Sequence, residues 1–424
     1  MKKATKLIIY ILTLVMLAGM LAACGNEPAP ATQGPGATAD EVPPIRIAAF
    51  YNLSGSGADN GNQSLRGAQL AADFINANGG IRSLGGAMIE IVPADTMSDT
   101  AQARAVAERV LADETIIAGI GVASSAMGLP MLPTFERAGV PFLMNGISHD
   151  FTNQGYQTIF QFTCTATAYG AMQVNYIHHL NSLGFNITRF GALYEDTEVG
   201  VSTARVNRER VEAAGYEWVY EESFPIGALT DASSLVVGMR QSGVQVLFIT
   251  ARDADIKVIV NAMQTLNFMP MIFGGGAGFL IAPFAEVLGD DVDGIISVSS
   301  ANWDLESVRV QGNGWDTAAA DFERLHGTFM PEHGTGGYTA TRMVAEALEA
   351  SGTRDLADLR DAIRNLDMQI FNGHVNFDET GTNLGAEVLV IQWQRDPDGQ
   401  FRPRTIFPEH LATSELQLHN LHID

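Results

Sequence analysis

Gly67-Ala68-Gln69-Leu70-Ala71-Ala72-Asp73-Phe74-Ile75-Asn76-Ala77-Asn78-Gly79-Gly80-Ile81 sets Ala68, Ala71, Ala72 and Ile75 at helical spacing, so this segment reads as a helix with one apolar face. On its N-terminal side lies Ile45-Arg46-Ile47-Ala48-Ala49-Phe50, and on its C-terminal side Ile89-Glu90-Ile91-Val92-Pro93, both short apolar runs of strand type. Strand, helix, strand is the opening phrase of the chain.

The phrase repeats. Ile116-Ile117-Ala118-Gly119-Ile120, Pro141-Phe142-Leu143-Met144, Phe190-Gly191-Ala192-Leu193-Tyr194 and Val246-Leu247-Phe248-Ile249 are further apolar runs, with helical patterns between them such as Ala103, Val106, Ala107 and Val110. Near the end Met343, Ala347 and Leu348 resume the helical spacing. Near-continuous apolar strands separated by amphipathic helices predict parallel sheets covered on both faces. One sheet holding all of them would be very wide, so the expected fold is α/β with two doubly wound parallel-sheet lobes. Sheets of this kind bind ligands in the loops at the carboxyl ends of their strands.

The N-terminus has a different character. Lys2, Lys3 and Lys6 precede an almost wholly apolar run from Leu7 to Met20, and Leu21-Ala22-Ala23-Cys24 follows. This order is that of a secretory signal (residues 1–23), too short and wrongly flanked for an ordinary span. Its ending resembles a bacterial lipobox, in which Cys24 is acylated and becomes the mature N-terminus, held to a bilayer by more than one chain. Residues 24–44, rich in Ala, Pro, Gly and Thr, cannot bury a core and read as a flexible linker. The expected location is therefore extracytoplasmic and lipid-anchored to a membrane.

The chain of 424 residues suggests two or three domain-sized units, and 46% hydrophobic residues suffice for sizeable cores. It carries 48 acidic against 25 basic residues, a balance that argues against a nucleic-acid partner and against docking of the body on anionic lipid. There are two cysteines; lipidation of Cys24 leaves Cys164 alone, with no intramolecular disulfide.

A family resemblance rests on motifs spread over residues 45 to about 395. Asn52-Leu53-Ser54-Gly55-Ser56-Gly57 follows the first strand, and the Gly67–Ile81 helix comes next. Gly121-Val122-Ala123-Ser124-Ser125, Ala138-Gly139-Val140-Pro141-Phe142, Tyr338 with Ala345-Glu346-Ala347-Leu348-Glu349-Ala350-Ser351-Gly352, and Gly373-His374-Val375-Asn376-Phe377-Asp378-Glu379-Thr380-Gly381 follow in order. Together they resemble the leucine/isoleucine/valine-binding protein family, the amino-acid receptors of ATP-driven importers. The resemblance implies a clamshell: lobes of 45–163 plus 300–375 and of 164–299 plus 376–424, joined by three crossing segments. Those lobes would close on an amino acid or related small carboxylate and present it to ABC permease subunits. A sensory receptor of the same fold, signalling to a partner without transport, is the alternative.

The loops supply the candidate ligand contacts. Ser124 and Ser125 end a strand and begin a helix, a ready carboxylate site without lysine or arginine; their bland reading is helix capping. Ile147 and Ser148 occupy the next such loop, and the family uses them against the same ligand end. Ser54 in the first loop and Gly276 in a cleft-lining turn complete the set. Departures from the family bear on the ligand. Asn60-Gly61 stands where an aromatic precedes the glycine, and Val199-Gly200 where Tyr-Gly is usual. Gly274-Gly275-Gly276-Ala277-Gly278 lacks the acid that meets the ligand ammonium. An ammonium buried without a counter-charge is costly, so either Asp253 or Asp255 replaces that acid or the ligand is not an α-amino acid. Arg252 could meet a second ligand carboxylate or lie exposed at the loop edge.

No catalysis is expected. Ser148-His149-Asp150 cannot form a triad from adjacent residues, no Gly-x-Ser-x-Gly elbow occurs, and the Gly274–Gly278 run lacks the ending of a phosphate loop. His178 with His179, and His326 with His333, have no metal-ligand pattern, so neither metal nor cofactor is anticipated. Trp303 and Tyr338 could stack on a ligand or pack where the lobes meet.

Overall fold

The computed structural model describes residues 42–418 apart from 123 and 226–228, and not the side chains of residues 198, 253 and 277. The signal segment, Cys24 and the linker up to residue 41 lie outside the described residues. The first apolar runs pair as their hydrophobicity dictates. Strands β1 (Ile45–Tyr51), β2 (Ile89–Asp95), β3 (Ile116–Gly121), β4 (Phe142–Met144) and β5 (Ile159–Gln161) form one sheet in the order β2-β1-β3-β4-β5. Every pairing in it is parallel. Helices α1 (Ala58–Ala77), α2 (Thr100–Val110), α3 (Ser125–Gly128) and α4 (Leu132–Ala138) provide its crossovers. All residues of β3 and β4 are buried, as strands covered on both faces must be.

The chain then builds a second sheet. Helix α5 (Ala166–Ser182) leads to β6 (Arg189–Glu195), α6 (Glu198–Ala213), β7 (Glu217–Phe224), α7 (Ser233–Ser242), β8 (Val246–Thr250), α8 (Asp253–Thr265), β9 (Met271–Phe273), α9 (Ala282–Leu288) and β10 (Ile296–Ser299). It next returns to the first sheet through α10 (Ala318–His326), α11 (Glu332–Ser351) and α12 (Leu356–Arg364), the small hairpin β11 (Gln369–Ile370) and β12 (Gly373–His374) following. Finally β13 (Leu389–Arg395) and β14 (Phe401–Phe407) join the second sheet, whose order is β14-β13-β10-β9-β8-β6-β7. The chain thus crosses between sheets after β5, after β10 and before β13, giving the two-lobed α/β fold its three crossing segments. Thr382 still bridges Gln161 of β5, so the last crossing follows it.

Parallel pairing, expected throughout, fails at the end. Strand β13 runs antiparallel to β10 and β14 antiparallel to β13. The connection Asp396-Pro397-Asp398-Gly399 is short and turn-forming, with Gly399 at φ +85°, and a short turn can join only antiparallel neighbours.

Helix α1 explains why the opening helix is built of small residues. Gly61, Ser64, Gly67, Ala68, Ala71 and Ala72 are buried on it, and α11 packs across it. A Cβ at Gly67 would lie 1.9 Å from the carbonyl oxygen of Gly334, and one at Gly337 would lie 1.9 Å from that of Ser64. The two backbones therefore touch, leaving no room for a side chain at either crossing point. Arg342 on α11 is buried in the same layer; its guanidinium lies 5.3 Å from the Phe74 ring and 5.0 Å from that of Trp315. Among the described residues no helix is long and apolar enough to cross a membrane.

Candidate functional site

Loops at the carboxyl ends of strands from both sheets converge on one cavity of about 530 Å³. The first sheet contributes Ser124, Ser125 and Ala126 beyond β3, and Asn145, Gly146 and Ile147 beyond β4. From the second come Tyr169 of α5 and, beyond β9, Gly275, Gly276, Gly278 and Phe279. Crossing segments add Thr163 and Ser300, the turn between β11 and β12 adds Asn372, and the start of α11 adds Glu332, His333 and Gly336. The volume is within the range of small-molecule sites. A neighbouring cavity of about 240 Å³ shares Ile147, Tyr169 and Gly275 with it and is lined by Arg210.

Part of the cavity wall is rich in hydroxyls and loop N–H groups. Ser124 is the N-cap of α3 by position, yet its side chain makes no capping hydrogen bond. Ser125 Oγ accepts the Ile147 N–H at 3.1 Å, which ties the two loops together and leaves the hydroxyl proton to point elsewhere. Helix α3 runs on without a break through the 3-10 turn Leu129–Met131 into α4, so Ser125 stands at the N-terminus of one continuous helical stretch. Gly146 O accepts from Gln161 Nε2 at 2.7 Å and Thr163 Oγ1 at 3.1 Å, so the loop after β4 is held from behind.

The wall also holds an acid. Glu332 Oε1 accepts from the Tyr169 hydroxyl at 2.7 Å, from Ser300 Oγ at 2.8 Å and from Ser300 N–H at 3.2 Å. Asn372 Nδ2 in turn donates to Ser300 Oγ at 2.9 Å. Tyr169 belongs to the helix leading into the second sheet and Glu332 to the helix lying on the first, so this bond spans the cleft. Burial lowers the pKa of His333, against the opposing effect of Glu332, so His333 is neutral at pH 7. Among the described residues no lysine or arginine lines the main cavity, and Glu332 is the acid in its lining. Gly336, one turn along α11, gives space to the amide of Asn145: a Cβ there would meet Asn145 Nδ2 at 2.5 Å.

Ser124, Ser125, Ile147 and Gly276, singled out from sequence, are brought together in this wall. Ser54 and Ser148 are placed elsewhere. The Ser54 hydroxyl donates to Asp95 Oδ2 at 2.6 Å, and Ser148 Oγ caps a short turn by accepting the Asp150 N–H at 3.2 Å. Asp253 opens α8, but its side chain lies outside the described residues; Asp255 is buried and does not line the cavity. Arg252 N–H donates to Glu195 Oε1 at 2.8 Å. Trp303 Nε1 donates to Pro403 O, and the Tyr338 hydroxyl to Gly314 O, so both aromatics serve packing. His149 Nε2 pairs with Thr167 Oγ1 at 3.0 Å, away from any triad. Sequence reasoning missed Glu332, Tyr169, Asn145 and Asn372. The one available signal was an acid directly after Pro331, and acids in the first turn of a helix are too common to stand out.

Comparison with known proteins bears on the fold and the family. The periplasmic binding protein family matches residues 44–400. The chain belongs to the periplasmic binding protein family. It is a solute-binding protein of the extracytoplasmic type and not an enzyme. The Leu/Ile/Val-binding protein homolog 7 of Brucella suis biovar 1 is 26% identical over 390 residues, covering 88% of this chain and 94% of the relative. Among solved structures, the branched-chain amino acid transporter substrate-binding protein LivJ of Streptococcus pneumoniae, in complex with isoleucine, aligns with a TM-score of 0.69. It shares 23% identity and covers 86% of this chain and 100% of its own. An ABC transporter substrate-binding protein of Desulfitobacterium hafniense in complex with Leu aligns at 0.64 and 21% identity, covering 85% of this binding protein and 99% of its own chain.

Proposed function

We propose that this binding protein is the lipid-anchored receptor of an ATP-driven importer and delivers an amino acid, or a related small carboxylate, to its ABC permease subunits. One observation carries the reading: a cavity walled by both sheets, whose lining holds hydroxyls, loop N–H groups and a carboxylate. That lining suits a zwitterion. The Leu/Ile/Val-binding relatives, and the isoleucine and Leu complexes of the structural neighbours, support the same class. Cys24 supplies the anchor, and residues 24–44 let the body stand off the membrane. Residues 45–163 plus 300–383 move as one lobe and 384–418 join 164–299 in the other, since the Asn383 N–H still donates to Gln161 O of the first sheet at 2.9 Å. Ser124, Ser125 and Ile147 hold the ligand carboxylate, with Gly276 closing from the second lobe. Binding shifts the lobes toward the closed arrangement because the ligand contacts both.

A thermal-shift screen of the mature chain against amino acids, aromatic acids, amides and sugars tests this. A ligand at a hundred times its Kd adds about 2.7 kcal/mol, enough to raise the midpoint by several degrees. The expected outcome is such a shift with one or more amino acids and none with sugars. A flat response across the panel contradicts uptake of this class.

A further inference from the structure

Three buried acceptor atoms in the cavity wall have no donor: Glu332 Oε2, Asn145 Oδ1 and Asn372 Oδ1. They come from the start of α11, the loop after β4 and the turn between β11 and β12. Buried acceptors are satisfied in nearly all folded proteins, and a carboxylate oxygen left bare is the costliest kind of exception. The orientation of Asn372 is set by its neighbours. Its Nδ2 donates to Ser300 Oγ, and Ser300 donates to Glu332 Oε1, which leaves the amide oxygen as the unfilled end of the relay. Tyr169 pins the same Oε1 from the opposite side, so Oε2 is the oxygen left over for a ligand. Among the described residues no lysine or arginine lines the wall beside it.

We propose that Glu332, together with Asn145 and Asn372, is the ammonium-binding subsite, and that the ligand therefore carries a protonated primary amine. An ammonium group has three donors and one positive charge, matching three unfilled acceptors and one unneutralised carboxylate. The counter-charge, which buried Asp255 does not bring to the wall, is supplied from the first lobe's return helix. Tyr169 is a positioning residue that fixes which Glu332 oxygen faces the ligand. This inference rests on the solute-binding reading and narrows it from small carboxylates to amino acids.

The test is calorimetric titration of wild type, Glu332→Gln and Glu332→Asp. The probes are the proteinogenic amino acids, each beside its deaminated acid and its decarboxylated amine: leucine with 4-methylpentanoate and 3-methylbutylamine, phenylalanine with 3-phenylpropanoate and phenethylamine. Wild type is expected to bind at least one amino acid roughly 100-fold more tightly than the deaminated acid, the scale of a desolvated charge pair. Glu332→Gln should lose about that factor for the amino acid and change little for the acid, while Glu332→Asp keeps part of the preference. Apo Glu332→Gln should unfold at the wild-type temperature or above, because an unsatisfied buried charge has gone; this separates lost binding from lost folding. Two results overturn the proposal: Glu332→Gln binding the amino acid within about three-fold of wild type, or wild type binding the deaminated acid as tightly as the amino acid. If no probe of any kind binds wild type, the broader solute-binding reading of this class falls as well, so the wild-type column and the variant ratio report on different claims.

Discussion

Gly67→Ala is expected to destabilise the protein by about 3 kcal/mol, and Gly67→Leu to prevent α1 and α11 from docking. Alanine is intrinsically the better helix former by up to about 1 kcal/mol, so any loss must exceed that gain. The loss is steric: the new Cβ would sit 1.9 Å from Gly334 O and 3.1 Å from Tyr338 N. Both neighbours are backbone of a helix that cannot yield without moving the whole element, placing the cost at the upper end of overpacking penalties. Gly337→Ala should behave the same way, since its Cβ would meet Ser64 O at 1.9 Å and Ala68 N at 3.0 Å. The double variant should cost less than the two losses added, because once the helices part the second clash is already relieved. Gly278→Ala, whose Cβ meets nothing within 4 Å, serves as control and should stay within about 0.5 kcal/mol. Urea unfolding midpoints check all of these, and a Gly67→Ala loss below about 1 kcal/mol would mean that the helices are not in backbone contact.

Asp304→Ala is expected to cost about 3–5 kcal/mol, the range for removing one partner from a buried charged network. Asp304 lies in the second crossing and is buried. Its Oδ1 accepts from Asn302 Nδ2 at 2.8 Å and Thr405 Oγ1 at 2.7 Å; its Oδ2 accepts from Thr405 N–H at 2.8 Å and from the Thr413 hydroxyl. Burial raises its pKa, against the pull of the Thr413 and Thr405 donors, and four donors surround the carboxyl. Alanine would take the acceptor from the Thr405 N–H in a buried strand, while Asn302 Nδ2 and the Thr413 hydroxyl keep Pro403 O and Thr405 O. Asp304→Asn keeps the shape but turns an NH₂ toward donors, so it should fall between wild type and alanine. Because this side chain ties the crossing to β14, the loss should appear in the global unfolding transition; a value under about 1 kcal/mol for Asp304→Ala would contradict that role.

The first sheet was legible because its strands are buried on both faces and its helices carry one apolar stripe, so hydrophobic period alone distinguishes them. Gly67 was conspicuous in the sequence, but its purpose was not: close approach to Gly334 joins residues far apart in the chain, and no local pattern encodes a long-range contact. The final hairpin escaped for a related reason. Leu389–Arg395 is as apolar as a parallel strand, and only the short turn after it reveals the change of direction. At the site, Ser124, Ser125, Ile147 and Gly276 could be found because strand-end loops in such sheets line clefts as a matter of topology. Ser54 lies in a loop of that kind, yet its hydroxyl is taken by Asp95. Glu332 could not be found. It starts a helix, where acids are commonplace, and its role depends on Tyr169, Ser300 and Asn372 arriving from separate segments.

Occupancy of the cavity is the claim on which the account stands, and a cysteine at its edge reads it out. Gly278 lines the cavity and has open space around its Cβ position, so Gly278→Cys should fold and react with a maleimide at neutral pH. Cys164 will not interfere: it is buried, and burial pushes its thiol up to about 12, far from the thiolate form that reacts; Cys24→Ser removes the other thiol. The measurement is the labelling rate of Gly278→Cys as an amino acid that gives a thermal shift is titrated in. The rate is predicted to fall in a saturable way, with a midpoint at the concentration that half-saturates the shift. A rate unchanged by an amino acid that nevertheless stabilises the protein would place the binding site outside this cavity.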